Sequence, residues 1–143
     1  MLKNVPKIIS PELLKILCEM GHGDEIVIAD GNFPAETFGK RVIRADGISG
    51  AAMLDAVLSL LPLDTYSDPN FILMELMDCD KGRINPVIWE EYKKVAEKHD
   101  KNLKVGNIDR FEFYERAKSA YAVIATGEEA VYANIILKKG VIK

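Results

Sequence analysis

The chain has 143 residues, 48% of them hydrophobic, enough to bury one core and short enough to form one domain. A net charge of -3 excludes the broad basic footprint of a protein that binds nucleic acid or an anionic membrane. Cys18 and Cys79 are isolated and form neither a metal motif nor a disulfide framework, so reduced thiols and a cytoplasmic location are expected.

The start, Met1 to Lys7, lacks the apolar run of a signal peptide, and no segment has the apolar length of a membrane span. Ser10 and Pro11 read as N-cap and first position of a helix, with Leu13, Leu14, Leu17 and Met20 at helical spacing until Gly21 stops it. The run Ile26 to Ala29 predicts a strand that delivers Asp30 to the loop Gly31-Asn32-Phe33-Pro34. His22, between Gly21 and Gly23, and Asp30 thus bracket one short strand. A histidine held in such a turn has the chemistry for acid/base work. Lys40 to Ala45 predicts another strand, and Ser49 to Leu61 a helix with Met53, Leu54, Val57, Leu58 and Leu61 on one stripe. Asn70 to Leu76 follows as a strand, in which Glu75 is unusual and points to a pocket or a subunit contact.

Pro86 opens a third helix with Val87, Trp89, Tyr92, Val95 and Ala96 as its apolar side and Glu90, Glu91, Lys93, Lys94 and Lys98 toward water. Beyond Leu103 to Val105, Asp109 to Ala120 predicts a fourth helix, and Tyr121 to Thr126 and Tyr132 to Leu137 the last strands. Helices and strands alternate with no repeat and no break in composition. The expected architecture is one α/β domain over 1–143, a layered mixed sheet covered by helices.

Arg110, Tyr114 and Tyr121 fall at separations of four and seven, which lets them share a helical face and offer donors and aromatic surface to a small polyol. Tyr132 and Asn134, two apart on a strand, point to one side. An inventory of His, Asp, Arg, Tyr and Asn, with no metal cluster, no P-loop and no G-x-G-x-x-G, fits a neutral polar ligand such as a sugar and proton transfer without a cofactor. Each residue also has an ordinary use. His22 can cap a helix C-terminus, Asp30 and Asp64 can form turns, Tyr114 and Tyr121 can be core aromatics, and Arg110 can pair with Glu112 or Glu115. Asp24 reads as a brace for His22.

The blocks Ile9 to Leu14, Met20 to Glu25, Asn32 to Ala35, Ile43 to Gly47, Leu63-Asp64, Arg110 to Ala117, Thr126 to Glu128 and Tyr132 to Gly140 resemble, in this order, the fucose mutarotase and ribose pyranase family, nearer its fucose branch. The most divergent part, Asp78 to Asn107, reads as variable surface. The resemblance implies a ribose pyranase-like fold and an isomerase that exchanges the α and β anomers of a free sugar, L-fucose first, with no cofactor and no metal. It also implies a homo-oligomeric ring, a decamer, with pockets near subunit contacts. By matching motif, His22 would be the proton donor, with Asp64 and Tyr114 as further acid/base groups. Asp30 would hold a sugar hydroxyl, Arg110, Tyr132 and Asn134 would bind the sugar, and Met74 would line the pocket. Two other functions remain open: a pyranase acting on ribose, and a monosaccharide-binding protein without catalysis. Neither nucleic acid nor membrane is an expected partner.

Overall fold

The computed structural model describes residues 1–143. Its elements in chain order are α1 (Pro11–Glu19), β1 (Glu25–Ala29), α2 (Ala35–Phe38), β2 (Val42–Ala45), α3 (Gly50–Leu58), β3 (Phe71–Met74), α4 (Val87–His99), β4 (Val105–Ile108), α5 (Arg110–Ser119), β5 (Ala122–Thr126) and β6 (Ile135–Lys138). The strands form one sheet in the order β2-β5-β1-β6-β3-β4. β6 alone runs antiparallel to its neighbours, β1 and β3; the other pairs are parallel.

Helices cover both faces of the sheet, so β3 and β5 are buried at every residue, as continuous apolar runs in parallel sheets are. Neighbouring residues still part company at the two-residue period of a strand. Ile26, Ile28, Phe71 and Leu73 join Leu13 of α1, Met53 of α3 and Tyr92 of α4 in one cluster. Val27, Ala29, Ile72 and Met74 join Phe113 and Ala117 of α5 in a second. The close approach of α3 to α4 requires glycine at its first position, because a Cβ on Gly50 would lie 1.9 Å from the Tyr92 Oη.

Local chemistry sets the helix starts. Ser10 Oγ accepts from the Leu13 amide at 3.1 Å, Ser49 Oγ from the Ala52 amide at 3.2 Å, and the Asp109 carboxylate from the amides of Phe111 and Glu112. Several ends differ from the sequence expectation. α3 stops at Leu58, where the Ser59 and Leu61 amides bond back to Asp55 and Val57 and close the last turn. In α4, Ile88 enters the core while Val87, at the first helical position, stays 68% exposed. Glu75 lies just past β3 and bonds to the next amide through its own carboxylate, rather than standing within the strand. The loop after Asp30 contains the single turn α2, and β5 and β6 begin at Ala122 and Ile135, later than the apolar pattern suggests.

The reversed direction of β6 has a positional consequence. Its first residues lie at the carboxyl ends of β1 and β3, and its last residues at their amino ends.

Candidate active site

Ligands in open α/β sheets bind outside the carboxyl ends of the strands, and this sheet has a cleft of about 220 Å³ there. That is below the roughly 300 Å³ at which sites for drug-sized ligands begin, so a small molecule fits it. β1 delivers Asp30, β3 delivers Met74, the first two turns of α5 present Arg110 and Tyr114, and the approach to β6 presents Tyr132 and Asn134.

Asp30 and Asn134 hold each other in place. The Asp30 amide donates to Asn134 Oδ1 at 2.8 Å, and Asn134 Nδ2 donates to Asp30 Oδ2 at 3.1 Å. The amides of Asn32 and Ala133 also donate to the Asp30 carboxylate, at 3.0 and 3.3 Å. Burial pushes the Asp30 carboxyl up from its ordinary value, against the pull of these donors, which favour the ionised form. Asp30 is 5% and Asn134 4% exposed, so the pair is a rigid polar floor.

On the opposite wall Arg110 Nε donates to the Tyr114 hydroxyl at 2.8 Å. Phe38 stacks on the Tyr114 ring at 4.7 Å and Phe33 meets it edge-on at 5.6 Å, which fixes the phenol's direction. Tyr132 has φ of 58°, a left-handed conformation uncommon for a residue with a side chain. Its phenol donates to Asp80 Oδ2 at 2.5 Å, and the Trp89 indole N–H donates to its carbonyl at 2.9 Å. Burial, and then the bond to Asp80, push the Tyr132 phenol up.

His22 and Asp64 are not in this cleft. They lie at the amino ends of the strands, where the end of β6 ties two loops together. The Gly23 amide donates to the Lys139 carbonyl, the Lys139 amide to the Asp24 carbonyl, and the Asp64 amide to the Lys138 carbonyl, at 2.8, 2.8 and 2.9 Å. Gly23, at φ of 86°, makes the turn that lifts the imidazole. The Asp24 carboxylate accepts from the Gly21 amide at 2.7 Å, so Asp24 braces the turn rather than the ring. His22 Nε2 bonds Asp64 Oδ1 at 3.0 Å, and Ser67 Oγ donates to Asp64 Oδ2 at 2.5 Å. The Ser67 hydroxyl foremost, with His22 and the Tyr66 amide, holds the Asp64 carboxyl down to about 2 despite burial. Ionised Asp64 therefore accepts the Nε2 proton and leaves Nδ1 of the half-exposed imidazole, 46% accessible, without a hydrogen bond.

Five-residue β1 separates the two groups by about 17 Å at 3.4 Å per residue, before the flanking turns are added. The structure thus brings together Asp30, Met74, Arg110, Tyr114, Tyr132 and Asn134, and places the His22–Asp64 pair at the far edge of the sheet. Tyr121 shares no face with Arg110. It follows α5, bonds Glu19 and lies under the Arg41 guanidinium at 4.0 Å. Tyr132 and Asn134 do converge, though through a left-handed turn ahead of β6 and not by strand alternation. Phe33, Met77 and Val131 also line the cleft, and Asp80 and Trp89 hold Tyr132; Phe33 lies in the Asn32–Ala35 block and Trp89 reads as the apolar side of a helix, whereas no motif or spacing marked Met77, Asp80 or Val131. No three His, Cys, Asp or Glu side chains are grouped to hold a metal ion, and no helix is long and apolar enough to cross a membrane.

Comparison with known proteins bears on this geometry. The model of the RbsD / FucU transport protein family matches residues 3–142. The chain is similar to a fucose mutarotase of Homo sapiens, 52% identical over 145 residues that cover 99% of this chain and 94% of that one. Its fold is similar to FucU from Bifidobacterium longum, with a TM-score of 0.94 and 53% identity over 99% of this chain and 100% of that one. It is similar also to the fucose mutarotase of Streptococcus pneumoniae solved in complex with L-fucose, with a TM-score of 0.92 and 48% identity, again over 99% and 100%.

Proposed function

The chain belongs to the RbsD / FucU transport protein family, and from that premise we propose that it is a carbohydrate isomerase interconverting the α and β anomers of free L-fucose. The observation that carries the reading is the setting of Tyr114. Its oxygen accepts from Arg110 while its own proton remains uncommitted, inside a cleft of monosaccharide scale floored by Asp30 and Asn134.

Anomer exchange needs a proton given to the ring oxygen and another taken from the anomeric hydroxyl. The ring then opens to the aldehyde, C1 turns its other face, and closure reverses both transfers. Asp30 and Asn134 hold sugar hydroxyls, Arg110 and Tyr132 orient the ring, and Met74 packs against its apolar side. Tyr114 gives its uncommitted proton to the ring oxygen, and the Arg110 guanidinium stabilises the phenolate left behind. His22 takes the anomeric proton on Nδ1, and Asp64 stabilises the imidazolium through Nε2. On closure the roles reverse, His22 giving its proton to the aldehyde oxygen and the phenolate taking one from the ring hydroxyl, so each group ends as it began and the step balances.

His22 and the cleft of one chain stand at opposite edges of its sheet, so His22 and Asp64 of a neighbouring copy complete each cleft. This supports a closed homo-oligomer, ten copies by the family resemblance. Exposed Phe111 and Val131 supply apolar surface beside Arg110 and Tyr132 for such a contact. Exposed Cys18 and Cys79 suit a cytoplasmic home, where thiols stay reduced.

Exchange NMR on equilibrated L-fucose tests the reading. The wild type should give cross-peaks between the α and β anomeric protons, and His22→Ala should lose roughly 10²–10⁴-fold in exchange rate. Exchange of D-ribose pyranose and furanose forms but not of L-fucose would make it a pyranase. Ligand binding with no exchange of either sugar would make it a binding protein.

A further inference from the structure

Tyr132 and Tyr114 face one cleft with opposite hydrogen-bond polarity. A phenol has one proton to donate and two lone pairs to accept with. In Tyr114 a lone pair is taken by Arg110 and the proton is uncommitted. In Tyr132 the proton is committed to Asp80 Oδ2 at 2.5 Å, and one lone pair receives the Met77 amide at 3.3 Å. What Tyr132 has left is a single lone pair. Asp80 belongs to the turn Met77–Arg83 after β3, where its carbonyl receives the amides of Arg83 and Ile84, so its position is set by backbone bonds. Trp89 holds the other end of Tyr132 by its carbonyl. Met77 joins this turn to Arg110, whose Nη1 donates to the Met77 sulfur at 3.3 Å.

We propose that Asp80 is a positioning residue for sugar recognition: by accepting the Tyr132 proton it makes that phenol a fixed acceptor, so Tyr132 receives a hydrogen bond from a sugar hydroxyl and never gives one. The cleft then holds one phenol committed to accepting and one free to exchange a proton. A ligand that replaces the matching hydroxyl with an acceptor-only group is rejected at this position. The inference rests on the reading of the cleft as the sugar site.

The test compares Asp80→Ala, Asp80→Asn, Tyr132→Phe and the double variant Asp80→Ala/Tyr132→Phe by exchange NMR over a range of L-fucose concentrations. Asp78→Ala, whose side chain is 98% exposed on the same turn, is the control. Asp80→Ala and Tyr132→Phe should each raise KM about tenfold with kcat near that of the wild type, as expected when one binding hydrogen bond is lost or turned. Asp80→Asn, which retains an acceptor oxygen, should recover most of the loss. The double variant should be no worse than Tyr132→Phe; losses that multiply, or a fall in kcat equal to the rise in KM, would overturn the proposal.

A second readout is independent of turnover. In protein carrying ¹³Cζ-tyrosine, the resonance absent from Tyr132→Phe should move in Asp80→Ala and stay in Asp78→Ala; an unmoved resonance would also overturn it. If the wild type exchanges no L-fucose, the proposed function falls. The inference then stands if L-fucose shifts the Tyr132 resonance of the wild type and not that of Asp80→Ala, and falls otherwise.

Discussion

Asp30 and Asp64 are both nearly inaccessible, yet their surroundings move them in opposite directions. The difference lies in what pays for burial: Asp64 accepts from a hydroxyl, an imidazole and an amide, whereas Asp30 is buried more deeply than its donors compensate. For Asp64 the folded value of about 2 lies below the ordinary 3.8. Its contribution to stability is therefore present above about pH 4 and is lost as pH falls through the folded value. Asp64→Asn should lower the melting temperature at neutral pH and flatten its decline between pH 4 and 2, a comparison that calorimetry makes directly. An unchanged acid limb would mean that other carboxylates carry it. His22 should lose its orientation in the same variant, because Asn cannot stabilise an imidazolium as a carboxylate does, and anomer exchange should slow with it.

At the scale of elements, α5 joins stability to function. Its N-cap, Asp109, satisfies two amides of the first turn, which begins with Arg110, and Tyr114 follows one turn on along one wall of the cleft. Asp109→Ala should cost about 1 kcal/mol in denaturant unfolding. It should also raise KM for L-fucose, since fraying of the first turn disturbs the bond from Arg110 to Tyr114. A stability loss with KM unchanged would show that the aromatic packing of Phe33 and Phe38 suffices to hold Tyr114. The segment from Asp78 onward shows the opposite relation. It reads as variable surface because it departs most from the family pattern, but it follows β3, whose carboxyl end borders the cleft, so its first turn reaches Tyr132. Departure from a family pattern carries no information about what the tip of a loop touches.

At the scale of the whole molecule, the proposed function calls for a second copy, because the His22–Asp64 pair stands apart from the cleft. Mixing His22→Ala with Tyr114→Phe, each strongly slowed alone, and allowing subunits to exchange should restore wild-type activity at about one site in four, because a site with both wild-type groups forms where two different variants meet in the right order. No recovery in mixed oligomers would mean that each chain completes its own site. Light scattering on the same samples gives the number of copies, with ten as the expected value.

Ser10-Pro11, the apolar runs and the motifs around His22 and Arg110 carry local information, and with them the sequence alone determined the α/β class and most elements. Local signals suffice there because caps, periodicity and turn residues act within a few positions. Which residues meet is another matter. Asp30 meets Asn134 across 104 positions, and His22 meets Asp64 across 42. Those contacts depend on the order of strands in the sheet and on the reversed direction of β6, which no spacing records. That a strand carries His22 and Asp30 to opposite ends was legible in the sequence; only the tertiary structure decided that Asp64 joins the one and Asn134 the other, because β6 runs reversed between β1 and β3 and brings its first residues to one edge and its last to the other.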